Sequence, residues 1–148
     1  MPLERRSVQD DAGLVAEGEG EVGAAELIRL NEELVASPER LRRLRWVLID
    51  LERVERLAIT LAELEQVVAL QRSIVAVNPD AFVAVVGPRD FVFGVARMWQ
   101  AMACTLGIAA EVFRASGAAH EWLTTNVQDR FGFRPELAHR LDYGPGEA

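Results

Sequence analysis

The stretch that most constrains the fold of this chain is residues 82–106. It begins with FVAVVG, an apolar run rich in β-branched valine that favours a strand buried on both faces. Gly87 and Pro88 end the run, and proline suits the first helical position because its missing N–H needs no partner there. Asp90 follows in the first turn, where its charge faces the positive end of the helix dipole. The pattern therefore predicts a strand, a tight turn and a long apolar helix from Pro88 to Leu106.

Three other segments repeat the order of strand and then helix. Residues 13–22 alternate glutamate with glycine and valine, which indicates a strand that its glycines weaken, so we expect it at a sheet edge. An amphipathic helix follows over residues 24–36. The apolar run RWVLIDL then predicts a second buried strand, and the capping-box spacing of Thr60 and Glu63 predicts the start of the next helix. EVFRA and the segment after it give the last pair.

This order predicts one α/β domain over residues 12–131. Strand–helix–strand connections imply right-handed crossovers, so we expect a four-stranded, largely parallel (mixed) sheet with a weak N-terminal edge strand and flanking helices. Residues 1–11 are polar and without pattern, and we expect a flexible N-terminus there. Residues 132–148 are rich in glycine and proline and are expected to form a C-terminal tail that packs only locally.

Composition limits the classes of function. The net charge of −7 disfavours nucleic acid and anionic membranes as partners, because both are polyanions. No membrane span is expected, since Arg97 and Gln100 interrupt the best apolar run, and the N-terminus lacks the apolar core of a secretory signal. The single cysteine, Cys104, excludes a disulfide framework and is expected to be a small buried side chain. A cytoplasmic location is the expectation.

A glycine-rich segment at residues 18–23 matches the pattern G-x-G-x-x-G and precedes a helix. In a dinucleotide-binding domain these glycines would surround a pyrophosphate at the helix N-terminus. Glu19 and Glu21 would place two negative charges beside that pyrophosphate, and the preceding strand is weak. The motif therefore favours a glycine-rich edge strand, and no cofactor is expected.

Polar residues follow two of the predicted strands. Asp50 lies at the end of RWVLID, and Arg89 and Asp90 follow the next strand. The carboxyl edge of a parallel sheet is where ligands bind, so these residues form a candidate polar site, with loop capping and an exposed ion pair as the alternative. His120 and His139 have no partners at metal-ligand spacing, so no metal site is expected. No catalytic motif occurs, so no catalytic residue is assigned.

The helix from Pro88 to Leu106 carries two apolar stripes. We expect one stripe to cover the sheet and the other to pack against neighbouring helices or against a second copy of the chain. The homodimer would place Trp99 in its interface and Arg97 at the rim. The stripe assigned to the sheet is Phe91, Val95, Met98 and Met102, and the second is Val92, Trp99, Ala103 and Leu106.

Three segments resemble the SpoIIAA-like branch of the STAS domains, which is related to anti-sigma-factor antagonists and to CRAL-TRIO lipid-binding domains. They are RWVLIDLERVERL, FVAVVGPRDFVFGVARMWQAMA and EVFRASGAAHEWL. The resemblance implies a four-stranded sheet with flanking helices and a regulatory role in the bacterial cytoplasm. It also implies a phosphorylated serine at the start of the helix after the second strand. Ile59 stands at that place, and Thr60 is the nearest hydroxyl.

These observations lead to a non-enzymatic regulatory or protein-interaction module whose phospho-switch serine is absent. Its partner is expected to be a protein, including a second copy of the chain. A domain of CRAL-TRIO type that binds a small apolar or lipid-like ligand is the first alternative. A nucleotide-binding domain or an enzyme is the second.

Overall fold

A computed structural model of the chain describes residues 3–137. One sheet with the strand order β1-β2-β3-β4-β5 organises the domain. β1 pairs with β2 in the antiparallel direction, and all other pairs are parallel. The elements in chain order are β1 (Leu3–Val8), β2 (Gly13–Gly23), α1 (Ala24–Ala36), α2 (Pro38–Arg43), β3 (Trp46–Ala58), α3 (Leu61–Val77), β4 (Phe82–Val86), α4 (Asp90–Thr105), β5 (Ala109–Phe113) and α5 (Ser116–Phe131).

The α/β class and the mixed, largely parallel sheet are confirmed, but the number of strands is five and not four. The additional strand is β1, which lies in the segment expected to be a flexible N-terminus. Gln9, Asp10 and Asp11 have positive φ angles and reverse the chain between β1 and β2. The segment orders because Leu3 is 1% exposed and Arg6 donates a hydrogen bond to Glu17. β2 consequently lies between two strands and is not an edge.

Helices cover the sheet unequally on its two faces. α5 covers one face, where Val15, Trp46, Leu48 and Val86 are 0% exposed. Gly13 makes this packing possible, because a Cβ there would lie 2.2 Å from the Trp46 indole ring. α1, α3 and α4 cover the opposite face.

α3 stands away from the sheet. α4 lies on β3 and β5, whereas α3 packs mainly against the helices α1, α2 and α4. Ile49 and Val83 are consequently only partly buried, although they belong to the interior strands β3 and β4. A space therefore lies between α3 and the sheet.

Several helix details differ from the sequence-based expectations. α4 begins at Asp90 with Arg89 as its N-cap, so Pro88 precedes the helix and does not occupy its first position. Cys104 is exposed, because it points away from the sheet side of α4, and the prediction of a buried thiol is wrong. None of the helices within residues 3–137 is long and apolar enough to cross a membrane.

The structure describes only the first residues of the predicted C-terminal tail. Gly132 has a left-handed φ of 80° and ends α5. Phe133 and Leu137 then pack against the core on the α5 face. Residues 138–148, including His139, lie outside the described residues.

Candidate functional site

Thr60 marks the N-terminus of α3, and its predicted capping box is confirmed. The Thr60 Oγ1 atom accepts a hydrogen bond of 3.1 Å from the Glu63 N–H. The Glu63 Oε1 atom in turn accepts a hydrogen bond of 2.9 Å from the Thr60 N–H. This reciprocal pair satisfies two backbone donors that a helix end otherwise leaves to water. The exposed Thr60 side chain therefore has a structural role in starting α3.

An open groove of about 710 Å³ lies beside this helix end. We call it the α3–α4 groove. Leu61 and Phe91 are large apolar side chains at the starts of α3 and α4, and they are 54% and 64% exposed. Charged residues of both signs share the groove with apolar ones, a mixture typical of protein-binding surfaces. The lining consists of Glu55, Arg56, Leu57, Ala58, Ile59, Thr60, Glu63 and Phe91.

The predicted assignment of the two α4 stripes is wrong, because the stripe that contains Trp99 is the one that faces the sheet. Val92 and Ala103 are 0% exposed and Trp99 is 9% exposed, whereas Phe91 and Met98 are 64% and 46% exposed. The first set faces the sheet because the small alanine side chains of α4 allow the helix to approach the sheet closely. The Trp99 indole N–H also finds a partner there, the Gln71 Oε1 atom at 2.8 Å. Trp99 is therefore a core residue, and the open stripe of α4 contains Phe91 and Met98.

The predicted polar residues lie in different surroundings. Asp50 is 2% exposed on the α5 face of the sheet, and its Oδ1 atom accepts a hydrogen bond of 3.0 Å from the Glu52 N–H. The Asp90 side chain is 95% exposed and pairs with Arg114 at 2.8 Å. Arg89 is an exposed N-cap residue. Asp90 therefore belongs to an exposed ion pair and Asp50 to a buried row of side chains.

Two arginine side chains lie near the aromatic ring of Phe93 in α4. The Arg114 guanidinium lies 4.1 Å from the centroid of the Phe93 ring, and that of Arg97 lies at 5.9 Å. Both distances are within the range of cation–π attraction. Arg97 is exposed.

The glycine-rich motif forms part of β2. Gly18 is buried, and a Cβ there would lie 2.6 Å from a Val54 methyl group. Gly20 has a φ of 68° at a shift in the register between β2 and β3, so it serves a β-bulge. Gly23 is the N-cap of α1. Because these glycines lie within a paired strand, they do not form a loop of the dinucleotide-binding type. Among residues 3–137, no group of three His, Cys, Asp or Glu side chains could hold a metal ion.

A cavity of about 140 Å³ lies between α3 and the sheet. Its lining comes from β3, β4 and the helices α1, α3 and α4, and includes Ile49, Val67, Ile74 and Val83. None of the described residues that line it is charged. A cavity cannot be predicted from local sequence patterns. The one residue that indicated a polar group in this part of the interior was Gln71, an amide among the apolar positions of α3.

Three side chains in the cavity wall form a series of hydrogen bonds that connects three helices. The Trp99 indole donates to Gln71 at 2.8 Å, and the Gln71 amide donates to the Asn31 Oδ1 atom at 3.3 Å. Asn31 in turn donates to the Leu27 carbonyl at 2.8 Å. These bonds hold α4, α3 and α1 together around an otherwise apolar space.

Neither a family model nor a curated protein sequence matches this chain. Solved structures do match its fold. The anti-sigma factor antagonist SpoIIAA in its unphosphorylated form aligns with a TM-score of 0.52 and 12% identity, over 82% of this chain and 96% of SpoIIAA. The Bacillus cell fate determinant SpoIIAA in its phosphorylated form aligns with a TM-score of 0.50 and 13% identity, over 78% of this chain and 95% of the other. The chain therefore has the SpoIIAA fold, that of the STAS domains.

Proposed function

We propose that this chain is a non-enzymatic, regulatory protein-interaction module whose protein partner binds at the α3–α4 groove. The observation that carries the proposal is the exposure of Phe91, which lines the groove, and of Leu61, the first residue of α3. The fold supports it, because one of the proteins that shares this fold is an anti-sigma factor antagonist.

The distribution of exposed apolar side chains favours this surface over others. Within the described residues, four large apolar side chains are exposed. One of them, Phe91, lines the groove, and another, Leu61, follows the lining residue Thr60 in the chain. Isolated surface hydrophobes need no explanation, but a cluster beside a concave surface is typical of an interface. Burial of Leu61 and Phe91 by a partner would supply the apolar core of such an interface, with Glu55, Arg56 and Glu63 at its polar rim.

The proposed module works without a phosphate switch at this helix. SpoIIAA has been solved in phosphorylated and unphosphorylated forms. In this chain Ile59 replaces the serine that the resemblance implies, and the Thr60 hydroxyl already caps α3. We therefore expect partner binding to depend on the apolar side chains and not on modification of Thr60. In this proposal the partner protein includes a second copy of the same chain.

The test is affinity capture from a soluble extract of the source cell, followed by reconstitution. Wild type is compared with the double variant Leu61→Ser/Phe91→Ser and with Val77→Ser, a control at the far end of α3 where the side chain is 38% exposed. A partner is defined as a protein captured by wild type and by the control but lost from the double variant. Calorimetry with that purified partner should show the same order of affinities. Equal capture by all three proteins would contradict the proposal.

A further inference from the structure

The cavity beneath α3 has the size and chemistry of a ligand site. Its volume is about 140 Å³, and part of it is open to solvent. For comparison, an apolar cavity of about 150 Å³ holds one benzene molecule. The space beneath α3 therefore suits a molecule about as large as one six-membered ring.

The lining determines the charge of the occupant. Among residues 3–137, the lining includes no acidic or basic side chain, and a charge buried without a partner is strongly unfavourable. A carboxylate, a phosphate or an ammonium group would find no opposite charge among the lining side chains. The occupant is consequently neutral, which separates it from nucleotides and from ionised fatty acids.

The amides in the wall provide one place for a polar group. Gln71 uses its oxygen for Trp99 and one N–H for Asn31. A primary amide has two N–H donors and an oxygen with two lone pairs, so Gln71 retains a donor and an acceptor position. A hydroxyl or carbonyl group on the occupant could use them while its apolar body contacts Ile49, Ile74 and Val83.

We infer that the cavity beneath α3 binds a small, neutral, ring-sized apolar molecule that carries one hydrogen-bonding group, received by Gln71. The cavity and the α3–α4 groove are different binding sites, although Leu57 and Ile59 line both. α3 is the element that would admit the ligand, because its contacts are mainly with other helices.

Cyclohexanol is a suitable probe, and Trp99 reports on the site. The chain has three tryptophans. Trp46 and Trp122 belong to the core on the α5 face, whereas Trp99 lines the cavity. In proton–nitrogen correlation spectra of the labelled chain, the three indole N–H signals are assigned with Trp99→Phe and Trp122→Phe. Cyclohexanol should shift the Trp99 signal in a saturable way and leave the other two in place. Cyclohexanecarboxylate, its charged counterpart, should shift none of them.

Filling the cavity should abolish the response. Val67→Phe adds a ring within the lining, and Val77→Phe makes the same change at an exposed position on the same helix. The saturable Trp99 shift should be lost in Val67→Phe and kept in Val77→Phe. Ile74→Phe is the second filling variant if Val67→Phe does not fold.

Three results would overturn the inference. They are a wild-type Trp99 signal that does not respond to cyclohexanol, an equal response to the carboxylate, and an unchanged response in a folded filling variant. Because these measurements use the purified chain alone, their failure would leave the capture experiment at the α3–α4 groove unaffected.

Discussion

Glu17 and Asp50 lie directly opposite each other on the parallel strands β2 and β3, and both are nearly buried, at 6% and 2% exposure. Their register places them on the same face of the sheet as Val15 and Leu48, which is the face that α5 packs on. Arg6 on β1 lies 3.2 Å from the Glu17 carboxylate. Two neighbouring buried acids require compensation, so the edge strand β1 supplies a charge that the interior of the sheet depends on.

Arg6→Met should therefore destabilise the fold by about 1–3 kcal/mol, because it removes a charged partner of a buried carboxylate. The double variant Arg6→Met/Glu17→Gln should recover part of that loss. The control is Arg53→Met, whose pair with Glu19 is about half exposed on both sides (48% and 59%) and should contribute less than about 1 kcal/mol. Urea unfolding of the four proteins measures these differences, and equal losses for Arg6→Met and Arg53→Met would contradict the assignment.

Thr60→Ala should cost about 1 kcal/mol, since the Glu63 N–H loses its acceptor at the start of α3. Thr60→Asp keeps a cap-competent oxygen and should cost much less. Thermal unfolding compares the two. If alanine and aspartate were equally tolerated, the hydroxyl would have no capping role in solution.

Gly20→Ala should be destabilising by about 1–2 kcal/mol, because the φ of 68° lies in the left-handed region that residues with a Cβ avoid. Empty space around this glycine does not relieve the strain. Gly94→Ala is the contrasting change, since Gly94 lies within α4 with nothing near its Cβ position. It should stabilise the fold by about 0.5–1 kcal/mol. Chemical denaturation should show changes of opposite sign in the free energy of unfolding of the two variants. An unchanged free energy of unfolding for Gly20→Ala would contradict the assignment of the β-bulge to Gly20.

Protonation of Asp11 at low pH should destabilise the turn between β1 and β2. A hydrogen bond from Arg43, with the nearby charge of Arg40, lowers the pKa of Asp11 below its ordinary value of 3.8, although desolvation opposes the shift. A folded-state pKa below the unfolded one means that Asp11 stabilises the fold above the unfolded value. That contribution disappears as the pH falls through the folded value. Asp11→Asn, which suits the φ of 70° there, should flatten the loss of stability below pH 3.8. An unchanged pH profile would assign the acid sensitivity to other carboxylates.

A homodimer through α4, if formed, should use Phe91 and Met98 and not Trp99. Light scattering on the size-exclusion peak should then show a dimer that Met98→Glu converts to a folded monomer. Trp99→Glu should instead unfold the chain, because it buries a charge in the core. A parent that is monomeric at micromolar concentrations would exclude this dimer.

The features that local chemistry determines could be predicted from the sequence. The cap at Thr60 depends on residues three positions apart, and the strand FVAVV depends on its own composition. β1 could not be predicted, because its polar residues become ordered only through partners distant in the chain, such as Glu17 for Arg6. Long-range pairing of this kind leaves no periodic signal in the strand itself.

The orientation of α4 and the cavity depend on packing in three dimensions. Both stripes of α4 are apolar, so the pattern alone does not distinguish them, and the close approach allowed by Ala96 and Ala103 decides between them. The cavity arises from the distance between α3 and the sheet, which no single residue specifies. Gln71 was the one indication, since an amide at an apolar position predicts a buried hydrogen-bonding partner.

Leu57 and Ile59 line both the cavity beneath α3 and the α3–α4 groove. They connect the interior of the domain to its exposed surface by direct contact. A molecule that displaces these two side chains from one side changes the free energy of binding on the other. Thermodynamic linkage requires this effect to be reciprocal, so a cavity ligand that weakens partner binding by some factor is itself bound more weakly, by the same factor, when the partner is present.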